Sequence, residues 1–182
     1  SAPGTTNDDS AKLLKAALGL PIQLVSGYKG TAPIKLAAES GEIDGSCWAW
    51  ESIKVMWRQG LDAGQANIVL QAVPKAVPEL SKVPVAIELA KTDEARKLIE
   101  VGIHATASIT RPYALPPGTP KNRVEMLRRA FRETMQDKDF VAEAVKSKLD
   151  VDPVTGEEVE KIVAGLFKLD AATVAKMAEV LK

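Results

Sequence analysis

Cysteine and histidine occur once each, as Cys47 and His104. A single thiol excludes an intrachain disulfide, and one cysteine with one histidine cannot assemble a His/Cys metal cluster. Aromatic residues make up only 4% of the 182 residues, too few for a stacking platform for single-stranded nucleic acid. Neither sign of charge is in excess: 24 Lys and Arg face 24 Asp and Glu. Such a balance gives no general attraction to nucleic acid or to acidic membrane surfaces. No apolar run approaches the ~20 residues that a membrane span requires. Ser1–Ala2–Pro3–Gly4 reads as a start inside a longer protein and not as a signal peptide. No cofactor motif stands out, and no constellation resembles machinery for breaking bonds.

Apolar residues are plentiful, at 46%, so the chain can bury a core as one domain or two small lobes. Asn7, Asp8 and Asp9 offer N-cap chemistry to a helix carrying Ala11, Leu14, Ala17 and Leu18; Gly19 stops it and Pro21 prevents its resumption. Ile22–Val25 reads as a short buried strand. The glycine turn Ser26–Gly30 follows, and Thr31 caps a second helix with Pro33 in its first turn. Ile43–Trp48, Asn67–Val73 and Val101–Ile109 are further strand candidates, and Glu51–Gln59 is helical. Thr92 caps a helix through Glu100. Thr119 with Pro120 starts a helix whose apolar stripe includes Val124, Leu127, Phe131 and Met135. Thr155–Gly156–Glu157–Glu158 is a capping box, followed by helices through Phe167 and from Asp170 to Leu181. Strands alternating with helices predict an α/β fold with largely parallel pairing.

The turn before the second helix is the most suggestive element. A strand-to-helix turn aims backbone N–H groups and a positive helix end at one point, which suits an anion. The run GYKGTAPIKLAAESGEIDG at 27–45 resembles the "YKG-G-AP-ALAAL-GEVDM" segment of solute receptors of tripartite tricarboxylate transporters. Ala2–Pro3–Gly4–Thr5–Thr6 is similar to the small-residue loop that opens their second lobe. Lys82–Glu88 resembles their "VPTVAE" stretch, and Tyr113–Pro120 their "YGLLAPAGTP". The matches fall in the family's order. Cys47–Trp48–Ala49–Trp50 departs from it, standing where small polar residues are usual.

The resemblance implies an α/β, periplasmic-binding-protein-like lobe with a mainly parallel sheet flanked by helices. Strands and helices of an incomplete second lobe would complete the chain. Residues 1–66 would form ligand-binding lobe two, 67–135 the crossover and elements returning toward lobe one, and 136–182 a C-terminal helical segment. It implies a periplasmic receptor that captures a small organic carboxylate and passes it to membrane permease subunits, with no catalysis, cofactor, metal or nucleic acid. The open sheet edges of such a lobe are an expected route to homodimers. The expected ligand-binding residues are Pro3, Gly4, Thr5, Thr6, Tyr28, Lys29, Gly30, Thr31 and Trp48.

Plainer readings stand beside these. Thr5, Thr6 and Asn7 serve equally as caps, and Tyr28 as a plug at a lobe edge. Trp48 and Trp50, on one side of a strand, pack a core or wall a cleft. Cys47 is a small buried hydrophobe, and a Cys47–His104 nucleophile pair lacks a third orienting group. Arg111 is a carboxylate clamp or one half of a surface ion pair. Arg123, Arg128, Arg129 and Arg132 alternate with Glu125 and Glu133 as a solvated face. The competing functional classes are an effector-binding domain of a transcription regulator and a Cys-dependent enzyme.

Overall fold

The computed structural model describes residues 4–147 and 149–182. Its helices are α1 (Thr6–Leu18), α2 (Thr31–Glu39), α3 (Trp50–Met56), α4 (Arg58–Asp62), α5 (Asp93–Ile99), α6 (Thr106–Ser108), α7 (Lys121–Gln136), α8 (Lys138–Lys146), α9 (Gly156–Leu166) and α10 (Ala171–Leu181). Two 3-10 turns, Pro78–Leu80 and Ala86–Leu89, and a π-helical segment, Glu100–Ala105, join them.

Helices take up 58% and strand 1%, and among the described residues no sheet forms, so the expected α/β architecture is not the one adopted. The strand-like segments are present but do not find each other. Residues 20–29 and 43–49 run without regular structure. The Ile22 N–H bonds to the Leu20 carbonyl (2.8 Å) across Pro21, a tight turn that breaks any ladder at its start. In the 67–73 run one parallel bridge forms, Gln71 to Val85. Of the Val101–Ile109 run, Val101–Ser108 is helical instead. Its β-branched residues read as strand, but the helix begun at Thr92 continues through them and buries Ile99 and Ile103 on its apolar face. Tertiary burial here overrides a modest intrinsic preference.

Several helix boundaries follow from local chemistry. Gly19, in the left-handed conformation, closes α1. The Thr92 hydroxyl accepts the Ala95 N–H, Asp170 accepts the Thr173 N–H, and Thr155 and Glu158 complete a reciprocal capping box. Thr119 is not the cap of α7: Pro120 holds that position, and the Thr119 hydroxyl donates back to the Pro116 carbonyl.

The chain separates into two units. The first runs to Ala107 and includes Leu169–Lys182. Its core packs Leu13 and Leu14 of α1 against Ala95, Leu98 and Ile99 of α5, with Ile103, Ala86 and Ala90; Met177, Val180 and Leu181 of α10 close over it. Lys12 ties α10 down, donating to the Leu181 carbonyl (3.1 Å) near that helix's negative end. His104 is buried in this unit, and burial holds its imidazole below the ordinary value, with Glu100 partly opposing.

The second unit is Ser108–Lys168. Arg128 of α7 lies 2.6 Å from Glu160 and 3.2 Å from Glu157, both on α9, and 3.6 Å from Glu125. Its side chain is 19% exposed, so this arginine is a bracket between helices and not part of a solvated face. Tyr113 packs on Phe131 at 5.6 Å between ring centroids.

Candidate functional site

The turn before α2 is tethered to the first turn of α1. The Ser26 hydroxyl donates to Asp8 Oδ1 at 2.8 Å, and Lys12 Nζ lies 3.0 Å from the other oxygen. Asp8 is the third residue of α1 and is almost fully buried. Burial alone would raise its carboxyl; the bonds from Ser26 and Lys12 outweigh it and hold the group below the usual carboxylate range. The N-terminal end of α1 therefore already holds an anion of the chain's own.

This pair gives a pH-dependent expectation. Because the folded carboxyl titrates below its unfolded value of about 3.9, its contribution is complete above that pH. It is lost as the pH falls through the folded value. Replacing Ser26 by Ala should cost about 1–3 kcal/mol at pH 7, since the bond is to a charged, buried acceptor. Urea unfolding should show that difference smaller at pH 3 than at pH 7.

The end of α2 is different. Its N-cap is Gly30, at φ +97°, a left-handed backbone that a side chain would strain, so Thr31 is the first helical residue and not the cap. No acidic residue lies in the first turn of α2. Its leading N–H groups have no acceptor within the helix, and Pro33 contributes none. Lys29, beside the cap, is exposed. Tyr28 is half-buried and donates its hydroxyl to Glu42, which pushes the phenol up. Glu42 follows the C-terminal end of α2, so Tyr28 braces that helix.

Of the other expected ligand residues, Gly4, Thr5 and Thr6 are exposed at the start of α1, where Thr5 is the N-cap without a side-chain capping bond. Pro3 lies outside the described residues. Trp48 and Trp50 do not share a strand face. Trp48 packs edge-on against Trp57, centroids 5.1 Å apart, while Trp50 opens α3. Lys35 of α2 sits 5.9 Å above the Trp57 ring. Cys47 packs against the core; burial raises its thiol, a Ser10 hydrogen bond partly opposing. Arg111 belongs to the second unit and is exposed.

Two features escaped sequence reasoning. Gln71, the lone polar residue between Ile68 and Val73, is buried, and its amide organises the proline-rich loop that follows. Trp50, Lys54 and Glu79 line an open cleft of about 570 Å³ beside α3 and α4. The i,i+4 spacing of Trp50 and Lys54 was a visible signal; the approach of Glu79 was not. Among the described residues no group of three His, Cys, Asp or Glu could hold a metal ion, and no helix is long and apolar enough to cross a membrane.

No family model, no curated protein and no solved structure matches this chain.

Proposed function

We propose that this chain binds a small organic carboxylate at the N-terminal end of α2, as the capture component of a periplasmic receptor serving a transporter of the tripartite tricarboxylate type. The observation that carries the reading is the contrast between the two helix starts. That of α1 is occupied by the chain's own Asp8. That of α2 has a glycine cap, an acid-free first turn, and is held in place by Ser26. The ordered resemblance of the 2–6, 27–45, 82–88 and 113–120 segments to such receptors supplies the biological setting. The helix-start site itself needs no parallel sheet.

The carboxylate accepts N–H groups of Thr31 and Ala32 and the Thr31 hydroxyl, in the positive field of the helix end. Lys29 adds attraction that salt screens. No bond is made or broken; release to the permease subunits follows when the ligand's contacts are lost.

Thr31→Asp tests the assignment. An aspartate at the first helical position favours the helix itself, yet places a negative charge where the ligand's carboxylate belongs. Calorimetric titration with succinate, citrate and benzoate should show binding of at least one by the wild type, and at least a tenfold loss in Thr31→Asp with an undiminished Tm. Equal affinity in the two proteins, or silence of the wild type toward all three acids, would overturn the proposal.

A further inference from the structure

The cleft beside α3 has a composition distinct from the anion site. Trp50 and Lys54 are one helical turn apart on α3, and the Lys54 ammonium lies 5.7 Å from the centre of the Trp50 ring. The indole N–H donates to Glu79 Oε2 at 2.8 Å, which fixes ring and carboxylate relative to each other. The same oxygen is 3.7 Å from Lys54 Nζ, beyond hydrogen-bond reach. A positive charge thus sits beside both an aromatic face and a carboxylate. That is the chemistry that retains alkylated ammonium ions, which have few or no N–H donors. Lys54 is 17% exposed and Glu79 59%, so the carboxylate side of the site is open to solvent. Leu61, Ile68 and Leu80 give the wall an apolar stretch beside the Arg58–Asp62 ion pair, and the cleft's volume of about 570 Å³ far exceeds an ammonium group.

We propose that this cleft binds an organic ammonium ion with an apolar tail: the charged head lies over Trp50 beside Glu79, and the tail runs along Leu61, Ile68 and Leu80. Lys54 is the built-in competitor for the head position. A lysine ammonium is a small, strongly hydrated charge. An alkylated head is larger and more weakly hydrated, so it gains more from the ring, and its tail covers apolar wall that Lys54 leaves wet.

The probe is hexyltrimethylammonium, with 1-hexanol as the uncharged control. Saturation-transfer NMR on the wild-type chain should show transfer to the N-methyl protons, and 1-hexanol should show at least tenfold weaker binding. Lys54→Met, which keeps an unbranched stem and removes the competing charge, should bind the probe at least tenfold more tightly by calorimetry. Adding Glu79→Gln to that variant should reverse the gain, and Trp50→Leu should abolish the N-methyl signal. The absence of transfer in the wild type at millimolar probe overturns the proposal, whatever the variants do. So does equal binding of 1-hexanol, or an unchanged affinity in Lys54→Met. Succinate should leave this titration unaltered, so the ammonium site and the carboxylate site fail independently.

Discussion

Gln71→Glu, a change of one heavy atom in a side chain of the same size, should destabilise the first unit by roughly 3–5 kcal/mol at pH 7. Five hydrogen bonds meet at Gln71. Its Nε2 donates to the carbonyls of Leu80 (3.0 Å) and Val83 (2.8 Å), and its Oε1 accepts the Val77 N–H (2.8 Å). Its backbone N–H donates to Pro84 O (2.9 Å), and its carbonyl accepts the Ala86 N–H (2.8 Å). The loop it serves contains Pro74, Pro78 and Pro84, which lack N–H groups. The amide supplies donors that this loop cannot supply to itself. A carboxylate keeps the Val77 bond but turns both donors into acceptors that face carbonyl oxygens.

The pH dependence of that variant separates the charge from the lost donors. The buried carboxyl titrates above its unfolded value of about 4.3. A raised acid is neutral in both states at low pH, so the ionic part of the penalty is absent there. It grows as the pH rises through the unfolded value and is complete above the folded one. Urea unfolding of Gln71→Glu at pH 4 and pH 7 should show the smaller loss at pH 4. Gln71→Leu should lose stability equally at both pH values, since it strips the same carbonyls of donors and adds no titrating group.

Helix starts and stops were legible because they are written in two to four adjacent residues. The Gly19 stop, the Thr92 cap and the Thr155–Glu158 box all stand where sequence placed them, and the helix read from Asp170 has that residue as its cap. Sheet formation was not legible. A strand exists only through a partner, and Ile22–Val25, Ile43–Trp48 and Asn67–Val73 carry no information about which edge each would meet. In the structure the first two form no strand, and the third makes a single bridge because the Gln71 side chain holds the returning chain in place. Val69 is left 76% exposed within a run that reads as buried. The candidate site divides in the same way. The turn before α2 is local and was legible, although Gly30 and not Thr31 is its cap; the Ser26–Asp8 tether and the approach of Glu79 to Trp50 join residues 18 and 29 positions apart. Trp48 was misplaced because strand alternation was assumed where α3 begins two residues later.

Leu13 is the position where a loss of volume should be felt most. It is 1% exposed at the meeting of α1, α5 and α10 and is among the largest fully buried side chains. Leu13→Ala should cost about 3–5 kcal/mol, the transfer term plus that of the cavity left behind. Its neighbour Gly102 makes the cavity term measurable. A Cβ at Gly102 would stand 2.7 Å from Leu13 Cδ1 and 2.8 Å from Met177 Cε, closer than real carbon contacts allow. In the wild type, Gly102→Ala therefore sets a helix-propensity gain of about 1 kcal/mol against overpacking of about 1–3 kcal/mol, and a net loss is expected. With Leu13 shortened, one of the two collisions is gone, and the new methyl fills part of the vacated space. Met177 is a flexible side chain whose end can move. Gly102→Ala should then raise stability in the Leu13→Ala background. The change of sign amounts to a coupling of about 1–3 kcal/mol between the two positions. A double-mutant cycle by urea unfolding measures it, and additive losses would show that α1 does not press on Gly102 in solution.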